Sequence, residues 1–245
     1  MNSRRVSKTL LFKQSFVNLL KLKSVLIILA AGLLLSGFII FAVPQIFSSG
    51  IEAYYRLYIN SSFWIEFLLQ FTYGIIAVVG ILIGILNYNK SEKIFILSKP
   101  ITRRNFLWNK ILTSAVVSLI FGFIVFLMHL IVFLLTIKDM SEPLTVVFRK
   151  NFNVVGFFFV ILAIPVATCV IANSLSFFFH PIIAALIPLL LVVLYIVLSP
   201  YIIPLEENKI NQLIYSSIAP LFYLPIAGIC YGLTYLFFKK QRIEG

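Results

Sequence analysis

The chain has 245 residues, of which 61% are hydrophobic and only 11% charged, against about 25% charged in an average soluble domain. So few charges cannot coat a water-soluble globule of this length, which argues against a soluble enzyme or a free nucleic-acid binder. Disorder is excluded as well: an aromatic content of 16% and a mean hydropathy of +1.07 create apolar surface that must be buried, and lipid is the natural place for it.

The first element in chain order is a predicted helix over Arg4–Lys23. Phe12, Phe16, Leu19 and Leu20 recur at helical spacing, while Gln14, Asn18 and Lys21 form a polar stripe. Leu10 and Leu22 sit near the polar edge. Residues 1–24 therefore read as a cytoplasmic interfacial helix with its aromatic face among acyl chains. Six apolar runs follow: Val25–Val43, Phe67–Leu86, Ile111–Ile137, Val154–Leu175, Ile182–Leu198 and Leu221–Phe238. None contains Asp, Glu, Lys or Arg. Each approaches the ~20 residues that cross ~30 Å of hydrocarbon, and none alternates as a barrel strand does. Helices are expected, because each then closes its own backbone hydrogen bonds. The first run has the cationic start of a signal peptide. Its apolar core exceeds the usual ~7–15 residues and no small-x-small site follows, so it reads as a retained span.

Charge sets the predicted orientation. The N-terminal stretch, the loop between the second and third runs and the C-terminus together hold 15 Lys and Arg; the opposite loops hold 5, namely Arg56, Lys138, Arg149, Lys150 and Lys209. The positive-inside rule then places both termini in the cytoplasm of a multi-pass plasma-membrane protein. The net charge of +12 becomes an orientation signal and an attraction to anionic inner-leaflet lipid, with no nucleic-acid partner implied. Tyr54, Tyr55 and Tyr58 fall in the first outer loop as interfacial anchors. Residues 199–220, with Pro200, Pro204 and Pro220 around a short apolar stretch, read as an extracellular cap or re-entrant segment before the sixth run. No repeat or linker divides the chain, so residues 1–245 form one polytopic domain.

Residues 87–110 are the most informative. Their sequence, NYNKSEKIFILSKPITRRNFLWNK, encloses a compact apolar core in charge. Lys99-Pro100 breaks any helix, and Thr102 is a suitable N-cap for one that runs through Arg103 and Trp108 into the third span. A short cytoplasmic helix before the break can insert Ile94, Phe95 and Leu97 into a groove of a soluble partner.

The segment Glu92–Lys110 resembles the cytoplasmic loop of type-two ABC exporter permeases. Glu92, Leu97, Ser98, Pro100, Arg103 and Lys110 stand where that family has an acid, a Leu-Ser-x-Pro ending, an Arg and a Lys at the next span. Trp108-Asn109 before the Lys and the aromatic Phe177–Phe179 in the second inner loop depart from the pattern. The resemblance implies an all-α membrane fold of six spans, an interfacial helix before the first, a coupling helix between the second and third, and a re-entrant segment before the sixth. It also implies the permease subunit of an ATP-driven exporter, pairing with a second, identical or homologous permease and with two separate ABC ATPase subunits. Glu92, Ile94, Phe95, Leu97, Pro100, Arg103 and Arg104 would couple it to those ATPases. The chain contains no G-x-x-x-x-G-K-[ST] loop, so it is not expected to be an enzyme or to hold a cofactor, and ATP and Mg would bind the partner.

The rival readings are a secondary transporter or channel and a non-transporting assembly protein. Coupled carriers place ionisable groups within their spans, and these runs hold no formal charge. His129 reads as structural, His180-Pro181 as turn chemistry, and Cys169 and Cys230 as small packing residues without metal-ligand spacing. Glu206-Glu207 lacks the histidines a membrane metalloprotease needs. Residues that could line a pathway are Tyr73, Thr113, Ser114, Ser118, Thr168 and Asn173; Ser114 and Ser118, four apart on one face with Ile111, form a polar stripe on the third span, for which a close-packed helix interface is the competing role. Such a lining favours a hydrophobic or amphipathic substrate.

Overall fold

The computed structural model describes residues 8–42, 62–87, 103–138, 154–202 and 223–237, with side chains over 11–41, 71–87, 105–131, 161–194, 197 and 223–237. Every regular element among them is helical, as apolar runs without backbone partners of their own require. In chain order these are α1 (Lys8–Lys21), α2 (Lys23–Gly37), α3 (Ser62–Leu86), α4 (Arg103–Lys138), α5 (Val154–Ser176), α6 (Pro181–Ile202) and α7 (Tyr223–Phe237). Each coincides with a predicted helix to within about five residues, and α4 begins directly after Thr102, as that residue's N-cap chemistry predicts.

A single extended residue, Leu22 at φ −69° and ψ 114°, separates α1 from α2. Helical bonding resumes at once, with the Val25 and Leu26 amides donating to the Leu22 carbonyl. The face of α1 follows its sequence pattern: Leu19 is buried, Phe12 and Phe16 stack at 6.0 Å, and Lys13, Gln14, Asn18 and Lys21 are exposed. At its far end α2 widens into a π-helical turn over Phe38–Ala42.

The helix α5 lies at the centre, packed on α3, α4 and α6, while α2 packs on α3 and α4, and α1 on α4. Close approach of α3 to α5 rests on two glycines. A Cβ on Gly84 would stand 2.5 Å from the Cys169 carbonyl oxygen, and one on Gly80 would overlap the Pro165 carbonyl. Gly32 admits α2 in the same way, since a Cβ there would meet Val79 at 2.6 Å and Phe121 at 2.9 Å. Outward faces are apolar: Leu34 on α2 is 75% exposed, Ile182 on α6 63% and Ile229 on α7 62%. Water-soluble monomers seldom present such continuous apolar faces.

Two described stretches, Lys23–Phe41 and Asn105–Ile131, are long and apolar enough to cross a bilayer. The other apolar stretches, Phe71–Leu86, Ile161–Ser176, Pro181–Leu194 and Tyr223–Phe237, fall below that length as described. Two helices, rather than the six expected from sequence, therefore satisfy the criterion.

Candidate functional site

Polar side chains concentrate where α3, α4, α5 and α7 meet near the ends that join residues 88–102 and the α5–α6 turn. Asn109, Lys110, Thr113, Ser114 and Ser118 descend one side of α4, and all five are buried. At the end of α3, the Asn87 amide donates to the Lys110 carbonyl at 2.6 Å in a buried bond. The Ser114 hydroxyl donates back along its helix to the carbonyls of Lys110 at 3.1 Å and Ile111 at 3.0 Å. Across the interface, Asn173 of α5 donates its amide to Ser114 Oγ at 2.9 Å. Ser176 Oγ then donates to the Asn173 carbonyl at 2.7 Å, and Thr234 of α7 donates to the Cys230 carbonyl at 2.7 Å and toward the Ser174 carbonyl at 3.4 Å.

Hydrogen bonding in this layer is not saturated. Asn173 Oδ1 and Ser174 Oγ are enclosed without a hydrogen-bond partner, and Ser118 Oγ, equally enclosed, lies against the Cys169 thiol. One turn outward, the Thr168 hydroxyl bonds the Ile164 carbonyl at 2.8 Å and reaches the Ala77 carbonyl of α3 at 3.3 Å. Pro165 lies inside α5 and supplies no amide to the Ile161 carbonyl; Gly122 of α4 packs against that carbonyl.

Aromatic rings close the layer from below. Phe106 meets Phe177 edge-on at 6.5 Å, Trp108 meets Tyr231 at 5.9 Å, and Phe178 meets Phe237 at 5.8 Å. In the second turn of α4 Leu107 is fully buried and Phe106 nearly so, packed with Ile111 and Phe177. Phe177 and Phe178 hold the α5–α6 turn against α4 and α7. His180 starts α6: the Ile182 amide donates to His180 Nδ1 at 3.4 Å, the Ala184 amide to its carbonyl at 3.0 Å, and Pro181 takes the first helical position.

Of the expected pathway residues, Ser114, Ser118 and Asn173 come together between α4 and α5. Thr113 donates to Asn109 within α4, Thr168 bridges α5 to α3, and Tyr73 lies buried in the main apolar cluster. Glu92, Ile94, Phe95, Leu97 and Pro100 lie outside the described residues; Arg103 and Arg104 open α4. Residues 43–61, the helix expected around Ile94–Leu97, most of the 199–220 segment and Glu206-Glu207 lie outside as well. Sequence reasoning missed Asn87 and the Gly80/Gly84 pair. The latter had a legible signal, a G-x-x-x-G spacing inside an apolar helix.

No carboxylate occurs among residues with described side chains, and no group of three His, Cys, Asp or Glu there could hold a metal. His129 Nδ1 bonds the Val125 carbonyl of its own helix at 3.0 Å. Hydroxyls and amides in this arrangement can join helices and bind polar groups, but offer no paired acid and base. Compared with family models, curated proteins and solved structures, the chain matches none.

Proposed function

We propose that this chain is the membrane-embedded permease subunit of an ATP-driven ABC exporter, with six crossings, both termini cytoplasmic, and a hydrophobic or amphipathic substrate. The observation that carries the reading is the stem beneath residues 88–102. Its two flanking helices are tied by the buried Asn87–Lys110 bond, and α4, which contains Lys110, is one helix of 36 residues, about 54 Å long. A push on the loop is thereby delivered to α3 and α4 together and, through Asn173, to α5. Such a rigid transmission is what a coupling helix seated on an ATPase needs.

Helix lengths also suit crossings by α3, α5 and α6. α3, α5 and α6 have 25, 23 and 22 residues, or roughly 33–38 Å at 1.5 Å per residue, against ~30 Å of hydrocarbon. The apolar outer faces of α2, α6 and α7 suit lipid. A partner supplying ATP and Mg, and a second permease, follow from the family resemblance of Glu92–Lys110. A proton- or sodium-coupled carrier is less well supported, since the described interior has no carboxylate to titrate.

Capture of the tagged full-length chain from its native membrane tests the proposal. An ABC ATPase should co-purify, and Phe95→Asp should abolish its capture while leaving the chain in the membrane, because an unpaired carboxylate in an apolar groove costs on the order of several kcal/mol. ATPase capture undiminished by Phe95→Asp would remove the docking loop, and absence of any ATPase would remove the exporter reading.

A further inference from the structure

Between α2 and α3 runs a groove of about 610 Å³, lined by Ile28, Gly32 and Leu35 on one side and Phe71, Gly74 and Val78 on the other, and closed toward the inner end by Leu82. Its walls are apolar almost throughout. Gly74 leaves it open: nothing lies within 4 Å of where a Cβ would stand, whereas the Gly32 position is tightly filled by Val79 and Phe121. The groove thus has a packed floor and a vacant side. Along α3 it extends from Phe71 to Leu82, roughly 16 Å, which is close to the ~15 Å depth of one leaflet's hydrocarbon.

The break between α1 and α2 lies six residues, about 9 Å along the helix, before Ile28 of the groove, and Lys21 and Lys23 beside it are both exposed, as is Lys13 about two turns further back. No carboxylate with a described side chain opposes them. We propose that this groove holds an acyl chain of an anionic phospholipid of the inner leaflet, with its phosphate headgroup at Lys21 and Lys23. The volume falls in the ~300–1,000 Å³ range of pockets for a single small ligand. A helix of a second copy, ~10–12 Å across, could lie over the groove but not fill it. The polarity gradient matches a lipid: apolar for one leaflet's depth, then cationic, where headgroup attraction adds to chain burial.

The proposal rests on the membrane placement above and is independent of ATP coupling. The full chain is reconstituted in nanodiscs of phosphatidylcholine with phosphatidylglycerol, released into mild detergent, and its retained lipids are counted by native mass spectrometry. Wild type should keep a phosphatidylglycerol molecule. Gly74→Leu, whose Cβ would stand in open space and whose side chain would occupy the groove, should lose it several-fold, and Gly228→Leu, at a similarly open site on α7, should not. Lys21→Gln with Lys23→Gln should abolish the preference for phosphatidylglycerol over phosphatidylcholine. Equal retention in Gly74→Leu would overturn the proposal, as would loss of a dimer in that variant, which would mean that a second copy covers the groove. A phosphatidylglycerol with a photoreactive acyl chain, used on the wild type, provides a second measurement. Labelling should concentrate in peptides of α2 and α3, and even labelling of all helices would overturn the proposal whatever the variants do. Release of the chain from membranes by alkaline carbonate would defeat the membrane placement and the groove with it, whereas a retained chain with no effect at Gly74 would defeat the groove alone.

Discussion

Asn173 shows what a single polar side chain does in this protein. Its amide crosses from α5 to Ser114 of α4 in a fully buried setting, while its Oδ1 has no partner. Hydrogen bonds between membrane helices contribute about 0.6 kcal/mol on average and up to ~1.7, because the separated helices find other partners. Asn173→Ala should lower stability by about 1 kcal/mol, and adding Ser114→Ala should cost less than its effect alone. Thermal denaturation of the four proteins of this cycle in one detergent measures the coupling; strictly additive losses would mean that the bond contributes nothing. Ser118 differs. It is enclosed opposite Cys169, so a bulky residue there would strain the α4–α5 contact before any effect on a transported molecule could be read.

Helix pairing depends on where glycine is placed. Gly80 and Gly84 bring the backbone of α3 against that of α5, and side chains at either position would collide with carbonyl oxygens rather than with movable side chains. Gly80→Leu should therefore destabilise the protein by about 1–3 kcal/mol or more, through forced separation of the two helices. Gly74→Ala, on the same helix but facing open space, should leave stability within about 1 kcal/mol of wild type and on the favourable side, since alanine is the better helix former. Parallel melting curves separate the two expectations, and equal losses at Gly80 and Gly74 would contradict the packing of α3 on α5. The same geometry gives α3 two unlike faces: a closed one toward α5 and an open one along the groove with α2.

Across the whole molecule, the distribution of Lys and Arg, 15 against 5, determines the proposed orientation. Single cysteines at positions 93 and 242 should resist an impermeant thiol reagent in intact cells, while those at 55, 142 and 207 should react. The background would carry Cys169→Ala and Cys230→Ala, both native cysteines being free thiols. Labelling at position 93 without permeabilisation would invert the topology and remove the coupling role of residues 88–102. The stem formed by Asn87 and Lys110 would then face outward, with no ATPase to receive. Carboxylates fit the same orientation, with Glu52, Glu66, Asp139, Glu142, Glu206 and Glu207 assigned outside.

Helix positions were legible in the sequence because an uncharged apolar run has few other ways to satisfy its backbone. The ends of α3, α5 and α7, the start of α4 after Thr102 and the amphipathic face of α1 all follow from residue type and spacing alone. Ser114 and Ser118 were also readable as a polar stripe on α4. Their partner was not. Periodicity says which residues share a face but not what that face meets, and only the packed structure sets Ser114 against Asn173 and Ser118 against Cys169. Asn87 gave no signal, since an asparagine at a helix end is ordinary until the carbonyl of Lys110, 23 residues on, is brought beside it. Gly74, Gly80 and Gly84 are chemically identical, yet the first opens a groove and the others close an interface. That difference arises because a missing side chain acquires meaning only from the neighbour that approaches, or fails to approach, the space it leaves.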